Sequence, residues 1–286
     1  MRWSAGDRGN IEDMRGRSGG GGGMIPLGIG GFIVVALLSM FTGVNFFDML
    51  GGGSSSPSSS TVGTSGATTG SPTEERLVDM VDAVARDAQD MWAQKLGSRY
   101  EPTKVVLFRD SIQSTCGYAG AATGPFYCPG DRKVYLDLGF FDELARRFGA
   151  PGDFAQAYVL AHEIGHHIQT LNGTEGQMRQ MQRSDPGSTN ALSVRLELQA
   201  DCYAGVWGHE ASRAGRAAAG GVELDPGDME EALRAAAAIG DDRLQKLGTG
   251  RVMPEKFTHG SSEQRVTWFK RGFDSGDPQA CNTFER

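Results

Sequence analysis

Three residues in His162-Glu163-Ile164-Gly165-His166 have the types and spacing for hydrolysis at a metal ion. On an α-helix a four-residue step leaves two side chains only about 40° apart around the axis, so His162 and His166 share a face and both imidazoles can reach one cation. Glu163 points about 100° away, beside the cation and not onto it, where a general base for an activated water would stand. Imidazole pairs of this kind suit Zn2+, and a catalytic zinc takes three protein ligands with a fourth position left open. The third ligand has to come from elsewhere in the chain.

Glu197 and Asp201, four residues apart in a second helical pattern running from Asn190 to Tyr203, are the best source. Glu197 can complete the ligand set. Asp201, one turn on, can accept the second ring N–H of a ligand histidine and so fix its tautomer. A solvated acidic face is the commoner meaning of such a pair. Here the flanking Leu192, Val194, Leu196, Leu198, Ala200 and Val206 argue for burial, where unpaired carboxylates are costly. His259 could stabilise the oxyanion of a tetrahedral intermediate if the chain folds it over the metal. Tyr203, His167 and His209 read as structural residues.

The first helix runs from Asp153, read as its cap, to a left-handed stop at Asn172-Gly173, and is apolar around most of its circumference. Ser71-Pro72-Thr73-Glu74 opens another helix that continues to Gly97. Lys104–Phe108, Phe126–Cys128 and Lys133–Asp137 read as short strands, predicting a small sheet just before the first helix. Residues 139–148 read as a short helix, 173–189 as a mobile arm, and 225–247 as one helix capped by Asp225. Ser261 with Gln264 forms a capping box before the last helix.

Four motifs, His-Glu-Ile-Gly-His-His (162–167), Glu-Leu-Gln-Ala-Asp-Cys (197–202), Ala-Thr-Gly-Pro-Phe-Tyr-Cys-Pro (122–129) and His-Gly-Ser-Ser-Glu-Gln-Arg-Val (259–266), resemble the bacterial neutral zinc metallopeptidase family. The resemblance runs from about Glu74 to Phe284 and implies kinship with gluzincins, whose third ligand sits in a Glu-x-x-Ala-Asp helix. It also implies that a sheet edge beside the zinc helix holds the substrate backbone as an added strand. Val134 to Asp137 is the first choice for that edge.

Net charge is −7, and nothing resembles a phosphate loop, which argues against nucleic-acid and nucleotide binding. Residues 1–23 read as a disordered cytoplasmic tail, and 24–49, uncharged until Asp48, as one transmembrane helix contacting the lipid bilayer. Four arginines precede that segment and no Lys or Arg follows until Arg76, so the amino terminus is expected in the cytoplasm and the catalytic domain outside. Residues 50–71 form a Gly/Ser/Thr-rich tether, and 72–286 the catalytic domain. An even cysteine count outside the membrane favours disulfides. Of three connectivities we favour Cys116–Cys128 with Cys202–Cys281; zinc ligation by cysteine lacks a C-x-x-C pair.

The sequence therefore predicts an α+β, mainly α, zincin-like domain with a small antiparallel sheet, preceded by a transmembrane helix. Its expected activity is membrane-anchored, zinc-dependent hydrolysis of peptide bonds in a peptide or protein substrate. Two alternatives are a catalytically inactive binding or scaffolding module with a structural zinc, and hydrolysis of another envelope amide.

Overall fold

A helix apolar on nearly every side is stable only where other elements cover it all round. The computed structural model describes residues 1–16, 70–120 and 123–285, and it buries such a helix at the centre of the molecule. In chain order the elements are β1 (Ile11–Asp13), α1 (Pro72–Leu96), β2 (Lys104–Phe108), β3 (Ser111–Ser114), β4 (Gly117–Gly120), β5 (Phe126–Cys128), β6 (Lys133–Asp137) and α2 (Gly139–Arg146). They continue with α3 (Asp153–Leu171), α4 (Thr174–Ser184), α5 (Thr189–Ala211), α6 (Asp228–Ala238), α7 (Asp241–Thr249) and α8 (Ser262–Ser275). The central helix is α3, whose Phe154, Tyr158, Ile164 and Ile168 are fully enclosed. Helices α1, α5 and α6 pack around it, with the sheet on the remaining side.

The sheet is mixed, which corrects the expectation of an antiparallel one. Its order is β1-β2-β6-β5, with β1–β2 and β2–β6 parallel and only β5–β6 antiparallel; β3 and β4 form a separate antiparallel hairpin. The cores of β2 and β6 are continuous buried runs, Val105–Phe108 and Val134–Asp137, as parallel strands tend to be. The chain between residues 108 and 133 is long enough to return to the same end of the sheet. Strand β6 is therefore interior, and the edges are β1 and β5. Val134 to Asp137, expected to form a sheet edge, lies in a strand paired on both sides.

A second correction concerns the amino terminus. Residues 1–16 are an ordered part of the domain: β1 joins the sheet, and Arg2 exchanges two backbone hydrogen bonds with Glu223. The tail expected over residues 1–23 is ruled out for its described part. The apolar segment 24–49 and the tether 50–71 up to residue 69 lie outside the described residues. Among the described residues no helix is long and apolar enough to cross a membrane.

Smaller boundaries also move. Helix α3 is capped at Gly152, with Asp153 as its first residue, and α6 starts at Asp228, not at Asp225. The arm expected at 173–189 is largely helix α4, packed on α5. The single helix expected over 225–247 is two, Asp228–Ala238 and Asp241–Thr249, separated at Gly240, whose backbone is extended and where a Cβ would lie 2.3 Å from the backbone nitrogen of Ser262. Ser71 caps α1, and Ser261 with Gln264 forms the capping box of α8.

Glycines set how closely the three site helices approach. A Cβ at Gly272 of α8 would fall 1.9 Å from the Cys202 carbonyl oxygen, and one at Gly205 of α5 would fall 2.1 Å from that of Phe269. Only hydrogen on both residues lets these backbones touch. Two disulfides tie the ends down: Cys202–Cys281 pins the carboxyl-terminal segment to α5, and Cys116–Cys128 ties the β3–β4 turn to β5. Closing the 79-residue separation between Cys202 and Cys281 removes unfolded-chain entropy on the order of 4 kcal/mol.

Candidate metal centre

Gly165, inside the His162–His166 motif, faces α5. A Cβ there would sit 3.0 Å from the Ala200 carbonyl oxygen and 3.1 Å from its Cα, so glycine lets α5 approach one wall of α3 closely. Glu197, one turn before that contact, then reaches both imidazoles. His162 Nε2 stands 3.2 Å from Glu197 Oε2 and 3.2 Å from His166 Nε2, and His166 Nε2 stands 3.6 Å from Glu197 Oε1. Three donors each about 2.1 Å from one ion at tetrahedral angles would be about 3.4 Å apart. The observed spacings bracket that value.

Proton bookkeeping strengthens the case. His162 Nδ1 lies 2.9 Å from Asp201 Oδ1, and a carboxylate can only accept, so that nitrogen carries the hydrogen. His166 Nδ1 lies 2.8 Å from Gln169 Oε1. The Gln169 amide nitrogen donates to the carbonyl of Leu196 and to Gln199 Oε1, which fixes Oε1 as the atom facing His166. Both Nε2 atoms therefore present lone pairs to each other and to a carboxylate. Three acceptors at this separation require a cation or a proton among them. The protonation energetics agree: burial disfavours a charged His166, yet Glu197 outweighs it and raises the imidazole pKa to about 9. Burial likewise works against the ionised Glu197, but the neighbouring histidines hold its carboxyl well below the usual range. The donor set fits zinc.

Asp201 is fully buried and its charge has to be balanced. Arg265 of α8 does so, with Nε 2.8 Å from Oδ2 and Nη2 2.9 Å from Oδ1, while Tyr158 of α3 donates to Oδ1 at 2.5 Å. Burial alone would raise the Asp201 pKa; Arg265 and His162 instead bring it down to about 2. Arg265 Nη2 also lies 3.3 Å from His162 Nδ1, a close approach and not a hydrogen bond, since that nitrogen already donates to Asp201. The reciprocal glycine contact between α5 and α8 sets this pair within reach.

Glu163 is 8% exposed, and its carboxylate has no hydrogen-bond partner among the described residues. It is near enough to raise the pKa of His166 electrostatically. His259 stands in the loop before α8. Asp241, at the start of α7, accepts from the backbone N–H groups of Thr258, His259 and Gly260 at 2.7, 2.7 and 3.0 Å. Its other oxygen lies 3.3 Å from His259 Nδ1, and Gly260 packs on Val194 and Leu198, on either side of Glu197. Burial opposes protonation of His259, but Glu197 and Asp241 raise its pKa.

Other candidates stay outside the centre. His167 bonds the Tyr127 hydroxyl and the Glu101 carbonyl, His209 bonds the Phe273 carbonyl, and Tyr203 packs edge-on against Trp92. All four cysteines are in disulfides. Sequence reasoning gave no role to Gln169, Tyr158, Asp241 or Arg265. Gln169 carried a usable signal, since a residue three places after His166 shares its face. Arg265 lay within the His259–Val266 motif, but nothing local linked it to Asp201.

A second convergence exists. Asp153, Asp228 and Glu231 bring carboxylate oxygens as close together as the ligand atoms of the first cluster, within 4.8 Å. There the Met1 amino group lies 3.1 Å from Asp153 and 3.1 Å from Asp228, and the Phe154 N–H donates to Glu231.

The packed helices α3 and α5 and the His162–His166–Glu197 trio together form a candidate site for a divalent cation. The chain belongs to the family described as "Putative neutral zinc metallopeptidase", whose model matches residues 1–284. It is 45% identical to the uncharacterized protein YpfJ of Escherichia coli (strain K12), over 99% of both chains. It is 44% identical to the uncharacterized protein Rv2575 of Mycobacterium tuberculosis (strain ATCC 25618 / H37Rv), over 71% of this chain and 69% of that one. No solved structure matches.

Proposed function

We propose that the protein hydrolyses peptide bonds, with His162, His166 and Glu197 holding one zinc ion and Glu163 serving as general base. The observation that carries this reading is the convergence of two imidazole Nε2 atoms and a carboxylate at tetrahedral edge spacing, beside the Glu163 carboxylate, which has no hydrogen-bond partner among the described residues. When bound, zinc supplies Lewis acidity that acidifies a water and polarises a carbonyl. Glu163 takes the water proton and later delivers it to the departing amine. Asp201 and Gln169 keep the Nδ1 protons of His162 and His166 in place, so that both Nε2 atoms stay available. His259, oriented by Asp241, donates to the oxygen that gains charge in the tetrahedral intermediate. The outer edge of β5 offers the substrate backbone N–H and C=O groups as an added strand. Membrane attachment through residues 24–49 completes the proposal.

The test is Glu163→Gln in the full chain, with zinc content and cleavage of a denatured protein measured together. Retained zinc with hydrolysis lost supports the reading. Retained zinc with hydrolysis unchanged removes Glu163 as the base, and an inactive wild type with stoichiometric zinc favours a binding module.

A further inference from the structure

The first sixteen residues meet a surface built to receive them. Strand β1 pairs in parallel with β2 in the register Ile11–Val105, Glu12–Val106 and Asp13–Leu107, flanked by hydrogen bonds from Val105 N–H to the Asn10 carbonyl and from Met14 N–H to that of Leu107. Glu75, Asp79 and Asp82 lie along one face of α1, a like-charged stripe that repels itself when left alone. Arg8 donates to Glu75 at 2.6 Å and to Asp79 at 2.7 Å. Asp82 is fully buried, and its hydrogen bonds come from the backbone N–H groups of Arg8 and Asn10 and from the Asn10 amide. At the other end Arg2 pairs with Glu223 and Asp225.

The chain also leaves and returns at one atom. Arg15 Nη2 lies 2.8 Å from Glu75 Oε1, and the Gly70 N–H donates to the same oxygen at 3.2 Å. The two ends of the stretch that contains the apolar residues 24–49 are therefore together, whereas a single crossing would separate them by a hydrocarbon core about 30 Å thick. Residues 24–49 are too few for two spans of about 20 residues each. Three of the four arginines expected to hold the amino terminus in the cytoplasm are neutralised by carboxylates of the domain.

We propose that residues 1–16 are a strap of the catalytic domain, so that residues 16 and 70, where the described chain leaves and returns, face one compartment. The two disulfides make that compartment an oxidising one. This inference stands whether or not the protein is a peptidase.

The test uses the full chain carrying Ser4→Cys or Lys270→Cys, both at exposed positions, and a membrane-impermeant maleimide applied to intact cells and to inverted vesicles. Both positions should react in the same preparation and be silent in the other. Reaction of one in cells and of the other only in inverted vesicles overturns the proposal. In the purified full chain, hydrogen exchange at Met14 and Val105 should be slowed at least about 100-fold relative to an unstructured peptide. Unprotected exchange at both amides also overturns it, because the strap would then be undocked.

Discussion

Two clusters of this protein bring three metal-ligating side chains within the same small distance, and only one of them has the chemistry of a metal site. At Asp153, Asp228 and Glu231 the charges are all negative and the protein supplies its own cation, the Met1 amino group. At His162, His166 and Glu197 two imidazoles and one carboxylate converge, and the Arg265 guanidinium sits behind Asp201 with its charge already paired. Convergence of donors is therefore a weak criterion. The informative question is where their protons are and whether a protein cation already fills the gap.

The largest effect that would sharpen this contrast is His166→Ala, which should abolish stoichiometric zinc and all hydrolysis. Asp228→Asn should leave the zinc content near one per chain; elemental analysis of both variants decides it. Loss of zinc in Asp228→Asn alone would reverse the assignment. Next in size, Glu163→Gln should keep zinc and lower kcat by about 10²- to 10⁴-fold. Asp201→Asn should weaken zinc binding by about 10- to 100-fold. It should also cost roughly 3–5 kcal/mol of stability by leaving Arg265 buried and unpaired. Adding Arg265→Met should recover much of the stability and none of the affinity, as read from denaturant melts and competition with a chelator.

A smaller effect concerns pH. In the metal-free protein the His166 pKa is raised from 6.5 to about 9, so its contribution to stability is fully present below 6.5 and is lost as pH rises through 9. Melting temperature of the metal-free chain should therefore fall between pH 6.5 and 9, and zinc should flatten that dependence by replacing the proton. The smallest effect is that of Asp228→Asn on stability, about 1 kcal/mol, because the Met1 amino group keeps Asp153 at 3.1 Å and Asp225 at 3.6 Å as partners.

Much of the centre was legible in local sequence because helical periodicity is a local property. The four-residue steps from His162 to His166 and from Glu197 to Asp201 place side chains on a face before any tertiary contact exists. The caps at Ser71 and Ser261 were readable for the same reason, since each involves residues only three positions apart. Gln169 was equally local and could have been found by the same rule.

What the sequence by itself determined is the pair of helices that carry the site, the chemistry of the donors and the spacing that puts each pair on one side of a helix. Tertiary structure alone decided that α8 brings Arg265 to Asp201, that Gly165, Gly205 and Gly272 admit neighbouring backbones, that β6 is an interior strand, and that residues 1–16 belong to the domain. The physical reason is range. Those outcomes depend on contacts between residues far apart in sequence, 29 positions for Val105 with Val134, 64 for Arg265 with Asp201 and 152 for Met1 with Asp153, and no short-range period encodes which surfaces will meet.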